Sequence, residues 1–97
     1  MYYNRKGQPI DMMEWGTLCN DLDYKVLART DLPDGKWVST VWLGLDHSFG
    51  GGAPLIFETM VFPSVGEWME LDCERYTFEE DAMKGHEEMV KKWSEVA

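Results

Sequence analysis

The residues with the most chemical potential lie between Asp46 and Phe62, DHSFGGGAPLIFETMVF, where a carboxylate, an imidazole, a hydroxyl and three glycines lead into an apolar run. An Asp-His pair can orient and charge an imidazole as a general base, and Ser48 would be the nucleophile within its reach. Asp46 and His47 are adjacent, however, and extended backbone sends neighbouring side chains to opposite faces, so the pair needs a turn between them. GLDHSFG also lacks the strand-elbow-helix setting of a hydrolase nucleophile. Gly50, Gly51 and Gly52 could bring backbone N–H groups up to an anion. A phosphate cradle normally opens a helix, whereas here Pro54 and a strand-like run follow. No Lys or Arg stands between Lys36 and Arg75 to neutralise a phosphate. A hairpin loop is the plainer reading.

Metal chemistry has little to work with, because the two histidines, His47 and His86, share no ligand spacing with the cysteines. Neither a metal nor a cofactor is expected. Glu58 interrupts an apolar run, and a buried carboxylate is costly unless paired, so Arg29 or Arg75 is its expected partner. If the loop binds anything, the site is a small-ligand or nucleotide pocket of Trp42, Asp46, His47, Gly50, Gly51, Gly52 and Glu58. No catalytic residue is assigned, since a hydrolase using His47 with Asp46 or Glu58 has no further triad member to support it.

These residues must be held by a chain of 97, enough for one domain with one core. A hydrophobic content of 44% with five Trp is that of a folded protein. The formal net charge of -9 disfavours direct nucleic-acid binding and anionic membranes, and favours a basic protein partner. No apolar run approaches the ~20 residues that span a bilayer, and the start, MYYNRKGQ, has no apolar signal-peptide core. The chain therefore reads as intracellular, with Cys19 and Cys73 as reduced thiols.

Asp11 as N-cap, with Glu14 three residues on and Met12, Trp15, Leu18, Cys19 and Leu22 at helical spacing, predicts a helix from Met12 to Asn20. YKVLART and WVSTVWLGL alternate as strands around the turn LPDGKW, the second apolar on both faces and therefore central. PLIFETMVF is a third strand. EWMELDCERY sets Trp68, Glu70 and Asp72 against Met69, Leu71 and Cys73, the pattern of an edge strand whose acidic face meets water. Thr77 with Glu80 forms a capping box. The helix it opens carries an apolar stripe of Ala82, Met83, His86, Met89, Val90 and Trp93. The expected fold is α+β, an antiparallel sheet of three or four strands with two helices packed on one face. The sheet's other face, carrying Trp42, Met60 and Trp68 or their neighbours, is left without a helix and is a candidate interface for a homodimer or a target protein. From Glu67 to Asp81 the chain holds seven carboxylates and one arginine, which a basic groove would recognise, with Trp68, Glu70, Asp72 and Glu74 as partner-binding candidates.

The runs STVWLGLDHSFGGGAPLIFETMVF (Ser39 to Phe62) and ERYTFEEDAMKGHEEMV (Glu74 to Val90) resemble small uncharacterised proteins of tailed bacteriophages and prophages. The resemblance covers roughly half the chain and excludes about its first forty residues, those before Ser39. It implies a viral source and a place in the cytoplasm of an infected bacterium, and it carries over no catalytic residue. Small acidic phage proteins of this kind often bind and modulate a host or phage protein, including defence nucleases. The expected function is that of a non-enzymatic accessory protein.

Overall fold

The computed structural model describes residues 1–46 and 52–94. Strands β1 (Tyr2–Tyr3) and β2 (Pro9–Ile10) form a small hairpin. Helices α1 (Met12–Cys19) and α2 (Leu22–Lys25) follow, then strands β3 (Val26–Asp31), β4 (Trp37–Trp42), β5 (Phe57–Phe62) and β6 (Asp72–Tyr76), and finally helix α3 (Glu79–Ser94). The main sheet is antiparallel and four-stranded in the order β3-β4-β5-β6, so the expected α+β fold is the observed one.

The start of α1 follows its sequence signal: the Asp11 side chain accepts a hydrogen bond from the Glu14 backbone N–H. A third, one-turn helix was not expected. Tyr24 and Lys25 belong to α2 rather than to a strand, because Asp21 caps them through a bond from Tyr24 N–H. At the far end, α3 begins at Glu79, with Glu79, Glu80 and Asp81 in the first turn where the helix dipole favours them. Its first bond runs from Ala82 N–H to Phe78 C=O, one residue beyond the start that a Thr77 cap would set.

The helix-bearing face of the sheet carries Val38, Thr40 and Trp42 from β4 and Phe57, Thr59 and Val61 from β5, all of them buried. The expectation that Trp42 shares the open face with Met60 is therefore corrected. Trp42 is fully buried, and its indole N–H donates to Tyr3 C=O at 3.0 Å, anchoring the N-terminal hairpin. That hairpin is held at a second point. Arg5 spans to Glu79 with bonds of 2.7 and 2.8 Å, and its own backbone N–H donates to the Tyr24 hydroxyl. Gly44, at φ +74°, passes so near Trp15 that a Cβ would lie 2.5 Å from the indole.

The core is two apolar clusters separated by a polar row. Leu32, Val38, Val61 and Met89 fill one end, with Val90 and Trp93 against them. Trp42, Ile56, Phe57 and Ala82 fill the other, with Trp15, Leu18 and Tyr24 among those packed on them. Between them lies His86, buried, one ring nitrogen 2.9 Å from the Thr30 hydroxyl and the other 2.7 Å from that of Thr40. Thr40 in turn lies 2.6 Å from Thr59, which hydrogen-bonds the Tyr76 hydroxyl. Tyr76 reaches this position because residue 85 is glycine: a Cβ there would lie 1.9 Å from its oxygen. No buried side-chain nitrogen or oxygen among the described residues lacks a partner.

Replacing Thr40 by Val keeps the volume but strips His86 and Thr59 of their shared partner. The loss expected in urea denaturation is about 1–3 kcal/mol, against a few tenths for removing the exposed Thr17 hydroxyl. Burial also holds the His86 imidazole below its ordinary pKa. The unfolded chain thus binds a proton there before the folded one does, so stability is full above about pH 6.5 and falls as the pH drops below it. Urea midpoints measured between pH 7.5 and 5.5 should decline, and the decline should flatten in His86→Gln.

Candidate partner-binding surface

Two of the residues expected to line a ligand pocket with the loop after β4 lie apart. Trp42 points into the core on one face of the sheet, whereas Glu58 lies on the other, paired in register with Arg75. His47, Gly50 and Gly51 lie outside the described residues. Gly52 is exposed at φ +93°, and the Asp46 carboxylate accepts the Leu55 backbone N–H at 3.0 Å, closing the neck of the loop. Among the described residues no group of three His, Cys, Asp or Glu could hold a metal ion, and no helix is long and apolar enough to cross a membrane.

The open sheet face is layered rather than greasy. Trp37 stacks on Phe62 with centroids 4.5 Å apart, and the Arg29 guanidinium covers the outer side of Trp37 at 4.2 Å. Beside them Glu58, only 7% exposed, accepts from Arg75 at 2.9 Å, which gives the carboxylate its structural partner. The Cys73 thiol lies 3.6 Å from the same carboxylate. Burial, reinforced by the Glu58 charge, pushes that thiol up to about 11. Cys19 packs in the core on the helix side and Cys73 stands on the open face, so both remain free thiols.

The segment between β5 and β6 is where the structure departs most from its expected form. The predicted strand from Glu67 begins only at Asp72, so Trp68 and Glu70 belong to a loop and not to a strand face. Trp68 is 88% exposed, Met69 80% and Val65 77%, three large apolar side chains within five positions, flanked by Glu67 and Glu70. Met69 and Leu71 were expected to point inward, and both are exposed.

This loop has fixed ends. The Trp37 indole N–H donates to Ser64 C=O at 3.2 Å, Glu67 N–H closes a turn on Ser64, and Leu71 N–H donates to Val61 C=O at 2.7 Å. Gly66, at φ +93°, supplies the turn its left-handed residue. Burying one large apolar side chain is worth about 1.5–3 kcal/mol, and a tethered loop that leaves three of them in water has the character of a binding anchor.

Asp72 also departs from expectation. Rather than facing water beside Glu70, it turns under α3, where one carboxylate oxygen accepts from Lys92 at 2.6 Å and from the Trp93 indole at 3.1 Å. These bonds, that to Lys92 foremost, hold its pKa below the usual carboxylate range. Glu74, two residues on, is exposed on the same side of β6. Asp72 and Glu74 thus form one wall of a groove of about 350 Å³ between β6 and α3, with Tyr76, Gly85, Glu88, Met89 and Lys92 as the rest of its lining. The α3 side of this groove was not foreseen from sequence, although a glycine on the inner face of a long helix signals a close approach.

Neither a protein-family model nor a curated protein nor a solved structure matches the chain.

With its thiol pushed up to about 11, Cys73 should be alkylated slowly by iodoacetamide near neutrality. Its rate should climb about tenfold per pH unit up to pH 9.5 with no plateau, and Glu58→Gln should speed it. A bend near pH 8.5, the ordinary thiol value, levelling off by about pH 9.5, would show an unburdened thiol.

Proposed function

We propose that this chain is a non-enzymatic accessory protein of bacteriophage origin that binds and modulates a host or phage protein through the loop between β5 and β6. The observation that carries the reading is Trp68, left 88% exposed on a loop whose two ends are bonded to the sheet. Aromatic residues held in this way dominate protein–protein binding energy, since the loop does not have to be ordered when the partner arrives. Glu67 and Glu70 flank the anchor, and with a net charge of -9 behind them they favour a basic partner surface, speed its encounter and repel nucleic acid. The phage assignment rests on the resemblance carried by Ser39 to Phe62 and Glu74 to Val90. Inhibition of a host defence enzyme is the form of modulation that suits such a protein.

The test is affinity capture from infected cells with mass spectrometry, run in parallel on three forms of the protein. The partner retained by the wild type should be lost with Trp68→Ala combined with Glu70→Lys, a truncation of this kind costing about 2 kcal/mol or more, roughly thirtyfold in affinity. It should be kept by His47→Ala combined with Gly51→Ala. Loss with the second pair alone would move the function to the β4–β5 loop and to a ligand held there.

A further inference from the structure

The groove between β6 and α3 starts where the Trp68 loop ends, at Asp72, and runs along the outer edge of the sheet. Three features of it are unusual together. Its floor is closed at position 85, where the absence of a side chain lets α3 ride against the Tyr76 hydroxyl. Its lining mixes the Met89 thioether and the Tyr76 ring with the carboxylates Asp72, Glu74 and Glu88. Its own cation, Lys92, is committed to Asp72, and neither Glu74 nor Glu88 makes an ion pair among the described residues.

We infer that this groove seats an arginine-bearing basic segment of the partner protein, laid along β6 while the partner's apolar side chains meet Trp68. The inference rests on the partner-binding reading and names the chemistry of the segment that is bound. Charge complementarity selects the occupant: the groove offers two unpaired carboxylates over an apolar floor, which suits a side chain with a long hydrocarbon stem and a cationic head. Arginine fits better than lysine, because its planar head presents five donors, can satisfy carboxylates from both walls, and stacks on an aromatic ring. Lys92 already occupies the point-charge position at Asp72. A cavity of about 350 Å³ has room for one such side chain with its first water.

The experiment titrates the full chain into fluorescein-labelled hexapeptides that alternate Arg with Ala, Lys with Ala, and Glu with Ala, read by fluorescence anisotropy at about 50 mM salt, where exposed charges are only partly screened. The Arg peptide should bind saturably and more tightly than the Lys peptide, and the Glu peptide should not bind. Glu74→Gln with Glu88→Gln should weaken the Arg peptide about tenfold, while Glu14→Gln with Asp23→Asn, which removes equal charge elsewhere, leaves it unchanged. Lys92→Ala should tighten binding a few-fold by releasing Asp72. Equal weakening by both double variants, indifference to Glu74 and Glu88, or no binding of the Arg peptide would each overturn the inference. If the groove fails while Trp68→Ala with Glu70→Lys still loses the captured partner, the anchor reading stands alone. If that capture proves independent of Trp68, the anchor reading falls and the peptide titration judges the groove by itself.

Discussion

One imidazole sets the relation between the helix and the sheet. His86 is hydrogen-bonded through both ring nitrogens to threonines on two different strands, so α3 can take only one rotation and one height over the sheet. A wholly apolar interface would tolerate sliding, since dispersion and burial have no direction. A row of hydrogen bonds does not tolerate it, because any shift strands a buried polar group at a cost of about 1–3 kcal/mol. The two apolar clusters on either side of the row then fall into register: Met89 meets Val38 and Val61, and Ala82 meets Trp42 and Phe57. Gly85 and Tyr76 extend the same row to the sheet edge, so the outer groove is a product of the core's alignment.

Much of this architecture can be read in the residues. The alternation in Trp37–Trp42 and Phe57–Phe62, the turn at Pro33–Gly35 and the stripe on α3 are local signals, and each produced its element. The failures have physical causes. Glu67 to Leu71 continues an alternating pattern without pairing, because the β5–β6 ladder starts at Val61 with Asp72 and the preceding residues are drawn into a turn on Ser64. Trp42 could not be placed on the correct face from a strand apolar on both sides. Its burial depends on Tyr3, 39 positions away, which no window of sequence contains. Asp21, a cap for a single turn, was masked by the strand-like residues that follow it.

The two faces of the sheet have been given different work. The helix face holds the packing and the hydrogen-bonded row. The open face is closed over by its own side chains, Arg29 on Trp37 on Phe62 and Arg75 on Glu58, which satisfy one another and leave little apolar surface at its centre. Val65, Trp68 and Met69 on the loop beyond β5 remain in water, as do Met12, Met13, Leu22 and Phe78 on or beside the helices, and Trp37 links the open face to that loop: its ring seals the face and its N–H holds Ser64. Under the partner-binding function proposed above, an anchor at the sheet's end beside an acidic groove would give a partner both grip and direction.

The clasp between Arg5 and Glu79 ties together residues 74 positions apart. On a ribosome adding about 5–20 residues per second, the carboxylate that holds the N-terminal hairpin is made about 4–15 s after the arginine it binds. Until then the hairpin has neither Glu79 nor the Trp42-lined wall completed by Ala82 to dock on, and contacts of this separation are slow to close even in a finished chain. The first strands to leave the ribosome can meet Tyr24, Trp42 and Gly44 early, but their clasp closes only once the start of α3 has been made.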